Sequence, residues 1–160
     1  MPLTFLARTI LTFALLTTLV AALSSAQPSQ QDSILGKWTA ENQNIKMEMF
    51  RSGQEYKAHL LWGNRVVEKD GVTFKLDTKN PDPALRTRSL QGIEFITGLV
   101  WENGSYTGGS LYDGSSGRSY RCKAEIKNGK LVMRGYMGMS LFGQTMTFVR
   151  TNESEKKASD

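Results

Sequence analysis

Ser119-Tyr120-Arg121-Cys122-Lys123-Ala124-Glu125-Ile126-Lys127 alternates without a break, and Asn128-Gly129 follows it before Leu131 to Met137 resumes in β-type residues. Tyr120, Cys122, Ala124 and Ile126 fall on one face; Arg121, Lys123, Glu125 and Lys127 fall on the other. A period of two with one apolar face is the mark of a half-buried strand. Asn-Gly accepts positive φ at both positions, so the two runs read as a tight hairpin.

The same rhythm extends in both directions. Ile93 to Trp101 is a strand, Asn103-Gly104 a second tight turn, and Tyr106 to Tyr112 the strand that follows. Leu141 to Arg150 reads as the last strand. Upstream, Ile45 to Phe50 alternates until Phe50 breaks the pattern, and Ser52-Gly53 turns the chain. Tyr56, Ala58, Leu60 and Trp62 then share a face, with Glu55, Lys57 and His59 opposite. A weaker run spans Val72 to Leu76. Asp77 to Ser89 breaks the rhythm, because the two prolines of Asn80-Pro81-Asp82-Pro83-Ala84-Leu85 do not belong in a central strand. It reads as a structured loop with a short helical turn after Pro83. About eight to ten strands joined mainly by hairpin turns make an all-β, up-and-down antiparallel meander. Closure into a barrel buries the apolar faces and removes the edges. A barrel of about eight strands has room for side chains or for one small ligand.

The first 26 residues differ. Arg8 is their only charge, Ile10 to Leu23 is a short apolar run, and Ser24-Ser25-Ala26 offers the small residues of a cleavage site. The expected organisation is a cleavable signal peptide at 1–26, a polar linker at 27–33, the barrel at 34–150 and a disordered tail at 151–160. The apolar run is shorter than the ~20 residues that span a bilayer, so no stable membrane span is expected after cleavage. The product is expected in the periplasm or outside the cell. The chain carries +5, and the mature part +4, since only Arg8 is lost. Arg86, Arg88, Arg118, Arg121 and Lys123 are interleaved with turns and make no single basic face, so nucleic acid is not the expected partner. One cysteine in an exported chain means a fold held by its core and not by disulfides.

Two ends of the mature chain resemble lipocalins and fatty-acid-binding proteins. Gly36-Lys37-Trp38 opens the first strand and Arg150 closes the last. In those families a Gly-x-Trp opens the barrel and a basic residue on the last strand packs across the indole, which implies a barrel-closing pair of Trp38 and Arg150. More of the chain is similar to a bacterial exported family catalogued as domain of unknown function 2147. The similar segments, in order, are Gly36 to Trp38, Asn80 to Arg86, Gly108 to Asp113, Gly117 to Lys123 and Arg134 to Gly143. The chain departs where that family has Thr-Trp-x-Arg, with Thr147-Phe148-Val149-Arg150, and has Gly114 where proline is common. The resemblance implies a lipocalin-like, calycin-like barrel and no particular activity.

Few residues offer chemistry. His59 is the only histidine and falls on the polar face, so no multi-histidine metal site is available. Cys122 lies on an apolar face, the setting of an inert thiol and not of a nucleophile. Asp82 and Asp113 read as turn formers; only their convergence with Arg86 in a cleft would suggest an enzyme. No phosphate loop, nucleophile elbow or dinucleotide fingerprint is present, and no cofactor is called for. The methionines suit a surface that accepts varied ligands. Met47, Met49, Tyr56, Leu60, Trp62, Tyr120, Cys122, Met133 and Met137 are the candidates to line an interior site. The leading expectation is a non-enzymatic protein binding a small apolar or amphipathic ligand inside the barrel. A filled barrel that binds a protein partner through its loops, chiefly Asp77 to Ser89, is the alternative, and an unrecognised enzyme the third. Ligand identity and oligomeric state are open at this level.

Overall fold

The computed structural model describes residues 29–151. The expected signal peptide, the start of the linker and nearly all of the tail lie outside them. Eight antiparallel strands form a closed barrel in simple sequence order: β1 Gly36–Ala40, β2 Ile45–Ser52, β3 Glu55–Gly63, β4 Glu94–Glu102, β5 Ser105–Asp113, β6 Arg118–Lys127, β7 Lys130–Tyr136 and β8 Gln144–Arg150. β8 closes onto β1, with Trp38 opposite Arg150 and Ala40 opposite Phe148.

The Asn-Gly turns do what their chemistry requires. Asn103 and Asn128 hold φ of 49° and 51°, each followed by a positive-φ glycine. The β6–β7 hairpin keeps an unbroken register from Lys127 opposite Lys130 to Arg121 opposite Tyr136. Its inward residues, Cys122, Ala124, Leu131 and Met133, are all buried.

Three segments depart from the sequence reading. Val72 to Leu76 is no strand of the barrel; it makes only the isolated bridges Val67–Phe74 and Leu76–Ser89 within the long connection between β3 and β4. Its alternation is too short, and Val72 and Leu76 lie exposed. The last strand begins at Gln144, because Ser140–Phe142 forms a 3-10 turn. Part of the stretch read as a linker is built into the fold: Gln30–Ile34 is a 3-10 turn with Ile34 fully buried. The helical turn after Pro83 is present at Pro83–Leu85, where the Asp82 carboxylate accepts from Ala84 N at 2.9 Å.

The two ends of the barrel differ. The Gln30–Ile34 turn plugs the end where β1 begins. Trp38 Nε1 donates to Ile34 O at 2.7 Å, Tyr56 Oη to Asp32 at 3.0 Å and Tyr106 Oη to Gln31 O at 2.9 Å. Arg150 lies over the Trp38 ring, 3.9 Å from its centroid, and its guanidinium donates to Ser33 O and Leu35 O. Above this plug Met49, Tyr56, Leu99, Tyr106 and Cys122 fill the interior. Packing there leaves no slack: a Cβ on Gly109 would sit 2.6 Å from Leu99 and 2.7 Å from Cys122.

Candidate functional site

The other end of the barrel is hollow. A cavity of about 460 Å³ opens between the ends of β3, β5 and β7 and the starts of β4, β6 and β8. Its inner wall is apolar: Leu60 from β3, Ile96 from β4, Leu111 from β5, Met133 from β7, and Met146 and Phe148 from β8. Register explains why these meet. Met133 pairs with Met146 and Leu131 with Phe148 across β7–β8, while Leu111 pairs with both Ile96 and Tyr120. All therefore point to the inner face.

Polar groups are few and gather toward the mouth. Asn44, Arg65, Asp113 and Gln144 line it beside Tyr120 and Tyr136. Burial alone would raise the Asp113 carboxyl, but hydrogen bonds from the Ser115 and Ser116 hydroxyls, with Arg65 opposite, hold it below its ordinary value. It is an anion at neutral pH. Arg65 approaches it at only 3.9 Å and keeps 70% of its side chain exposed. The Asn44 side-chain oxygen is buried and has no partner. A buried acceptor left unpaired costs free energy.

The sequence candidates divide by level in the barrel. Leu60, Tyr120 and Met133 line the cavity, and Met137 stands at its mouth with 61% of its surface exposed. Met47, Met49, Tyr56 and Cys122 are buried in the interior but do not reach the cavity. Trp62 is not in the interior, contrary to the parity argument. The register of β3 shifts so that Met47 faces Leu60 while Lys46 faces Trp62, leaving Leu61 as an extra residue. That bulge turns the indole outward, where it donates to Gly71 O at 2.9 Å and anchors the long connection. Ile45, Ile96, Leu111 and Arg65 were not singled out from the sequence. Hairpin register would have placed Leu111 once Tyr120 was assigned inward; Arg65 lies in a loop and had no periodic signal.

The groups considered for catalysis are used locally. His59 lies outside, stacked on Phe50 with ring centroids 4.3 Å apart. Asp82 caps its own turn, and Arg86 Nε donates to Asn80 O at 2.8 Å. Burial pushes the Cys122 thiol up to about 12. Among the described residues, no three His, Cys, Asp or Glu side chains gather to hold a metal ion. None of the described helices is long and apolar enough to cross a membrane.

A buried polar clasp secures the long connection against the cavity end. Asp77, fully buried, accepts from Arg88 at 2.9 and 3.0 Å, from Asn80 at 2.7 Å and from the Tyr112 hydroxyl. Burial, with Asp77 beside it, pushes the Tyr112 phenol up to about 12.

Comparison with known proteins agrees with this architecture. A family model described as "Uncharacterized protein conserved in bacteria (DUF2147)" matches residues 36–150. Among solved structures, one described as "Protein HP1028 from the human pathogen Helicobacter pylori belongs to the lipocalin family" is similar at a TM-score of 0.66. It is 25% identical, over 78% of this chain and 86% of that one. A point mutant of the fluorescent protein UnaG matches at a TM-score of 0.42 and 14% identity, over 76% of this chain and 99% of that one. No curated protein matches.

Proposed function

The chain belongs to the DUF2147 family of conserved bacterial proteins, and we propose that this member is an exported carrier holding a small apolar or amphipathic molecule in the open half of its barrel. The cavity carries the reading. Its volume of about 460 Å³ falls within the ~300–1,000 Å³ of small-molecule sites, which are apolar clefts with a few placed polar groups. The apolar body of the ligand would lie against Leu60, Leu111, Met133 and Met146. Its polar end would sit at the mouth, beside Arg65. Lipocalin-like barrels typically serve binding, and this role needs no covalent step.

Export rests on the N-terminal pattern of Arg8, the apolar run and Ser24-Ser25-Ala26. Intact mass of protein recovered from the exported fraction tests it; a mature chain starting at Gln27 is expected. The filled-barrel alternative has less behind it. In the loop it would use, Asp77, Asn80 and Arg88 are engaged with one another and with Tyr112 of β5, which leaves Lys79, Asp82, Arg86 and Thr87 among its exposed polar groups.

The ligand reading is tested by titration with N-phenyl-1-naphthylamine, a neutral apolar dye, and by native mass spectrometry followed by solvent extraction. Dye uptake is expected in the parent and is expected to weaken in Met133→Phe and Tyr120→Trp, whose larger side chains narrow the cavity. Equal uptake by parent and both folded variants would place the dye elsewhere and remove the support for an interior site.

A further inference from the structure

We propose that the connection between β7 and β8 seats the barrel mouth on an anionic lipid surface. The inference goes beyond the ligand reading, since docking does not require an occupied cavity. Four large apolar side chains stand in solvent within this short segment: Met137, Met139, Leu141 and Phe142, at 61%, 65%, 78% and 82% exposure. The other exposed large apolar residues, among them Leu61, Val72 and Leu76, are scattered. Scattered exposure is ordinary, whereas a contiguous patch marks a contact surface.

Three features point to lipid as the occupant. First, the carbonyls at the tip, those of Met139, Ser140 and Leu141, are already paired. Arg134 donates from Nε to Ser140 O at 2.7 Å and from Nη2 to Leu141 O at 2.9 Å, and Phe142 N bonds Met139 O at 3.2 Å. A loop entering an apolar phase must bring few unpaired backbone groups with it. Second, the β7–β8 hairpin itself carries cations and no carboxylate, and the one carboxylate at the mouth among the cavity-lining residues, Asp113, faces Arg65. No Asp or Glu occurs from Asn128 to Arg150, and Arg121 and Lys123, both exposed, stand beside Tyr136 and Arg134 on the adjoining strand. Apolar side chains beside cations are the composition that binds anionic bilayer surfaces. Third, a second copy is a poor fit, because a two-fold contact places the same patch on both sides and would oppose these cations to themselves. Phe142 and Met137 also border the cavity, so a seated barrel would open its mouth toward the acyl chains.

The test is flotation of the purified exported chain with vesicles of phosphatidylcholine alone or mixed with phosphatidylglycerol. Binding is expected to the mixed vesicles, weakened by added salt. Met139→Ser with Leu141→Ser should lower the partition by roughly tenfold per side chain, the size expected for losing partial burial of a large apolar group. Arg121→Glu should reduce binding to the mixed vesicles. A parent that floats with neither vesicle, or a double variant that floats as well as the parent, overturns the proposal; so does a parent that elutes as a dimer split by the double variant. Neither Met139 nor Leu141 lines the cavity, so the double variant should take up N-phenyl-1-naphthylamine in solution as the parent does. Lost flotation with intact dye uptake supports docking, while flotation without dye uptake sinks only the ligand reading.

Discussion

Trp38→Ala tests the plugged end of the barrel most directly. The indole is 1% exposed, lies under the Arg150 guanidinium and donates its Nε1 proton to Ile34 O at 2.7 Å. Truncating a buried tryptophan costs about 3–5 kcal/mol in lost transfer energy and cavity. The deleted donor also strips the Ile34 carbonyl of its indole partner, adding about 1 kcal/mol. Arg150 is not stranded, because its two bonds to Ser33 O and Leu35 O survive. The expected total is about 4–6 kcal/mol, a large share of the ~5–15 kcal/mol by which a domain is usually stable. Trp38→Phe keeps a ring in the plug and loses mainly the donor, so about 1–2 kcal/mol is expected. Urea unfolding followed by far-ultraviolet circular dichroism measures both, and an unchanged slope would confirm that stability alone has moved. Trp62 and Trp101 remain in the variants, and their fluorescence gives a second probe of the same transition. A loss below about 1.5 kcal/mol for alanine, or equal losses for alanine and phenylalanine, would refute the plug.

Three further outcomes are expected. Cys122 is buried with its thiol pushed up to about 12, so a thiol reagent at mildly alkaline pH should label it only as fast as the barrel opens; rapid labelling of the folded protein would contradict the filled lower half. Asp77→Ala leaves Arg88, Asn80 and Tyr112 without their common acceptor and should cost about 2–4 kcal/mol, at the low end because Arg88 reaches solvent. Limited proteolysis should then cut within 78–88, and an uncut loop in that variant would count against the clasp. Tyr56 and Tyr112 ionise near 12 in the fold against an ordinary 10.0. Both stay neutral where the unfolded chain has lost its protons, so their stabilising effect is whole below pH 10 and declines as pH rises toward 12. Urea midpoints measured from neutral pH upward should fall in that window, and a flat profile would show that neither phenol is held as described.

The legible part of this fold is the part where one strand face is wet and the other dry. In β6 and β7, charged residues alternate with Cys122, Ala124, Leu131 and Met133, and Asn-Gly joins the strands, so periodicity and turn chemistry agree. The resemblance of Gly36-Lys37-Trp38 and Arg150 to lipocalin ends also pointed to the two residues that meet at the base. Parity failed where the ladder is irregular. At Trp62 a single extra residue reverses the side of the sheet, and nothing in Leu60-Leu61-Trp62 announces it. The start of the last strand differs too: Leu141 and Phe142, apolar enough to read as strand, belong to the 3-10 turn Ser140–Phe142, where Arg134 holds the Ser140 and Leu141 carbonyls. The turn at Gln30–Ile34 had no periodic signal, because its place in the fold comes from Tyr56, Tyr106 and Trp38 reaching it from elsewhere in the barrel.

Whether the barrel is hollow is not a question of parity, since inward residues alternate alike in a packed half and an open one. Volume decides it, and two glycines report the volume. At Gly109 a single added carbon would be driven into Leu99 and Cys122, whereas at Gly135, on the cavity wall, it would meet nothing within 4 Å. Both lie on strands of one closed sheet, and Gly135 stands opposite Cys122 itself. The sheet therefore packs to full contact at Gly109 on β5 and leaves free space at Gly135 on β7. A larger residue at Gly135 has free space to occupy, so the empty half does not follow from any difficulty in filling it. Keeping that apolar surface uncovered forgoes stability that burial would supply, while the tightly packed half and its plug hold the barrel closed. Such a division favours a cavity maintained for an occupant over one left by loose packing.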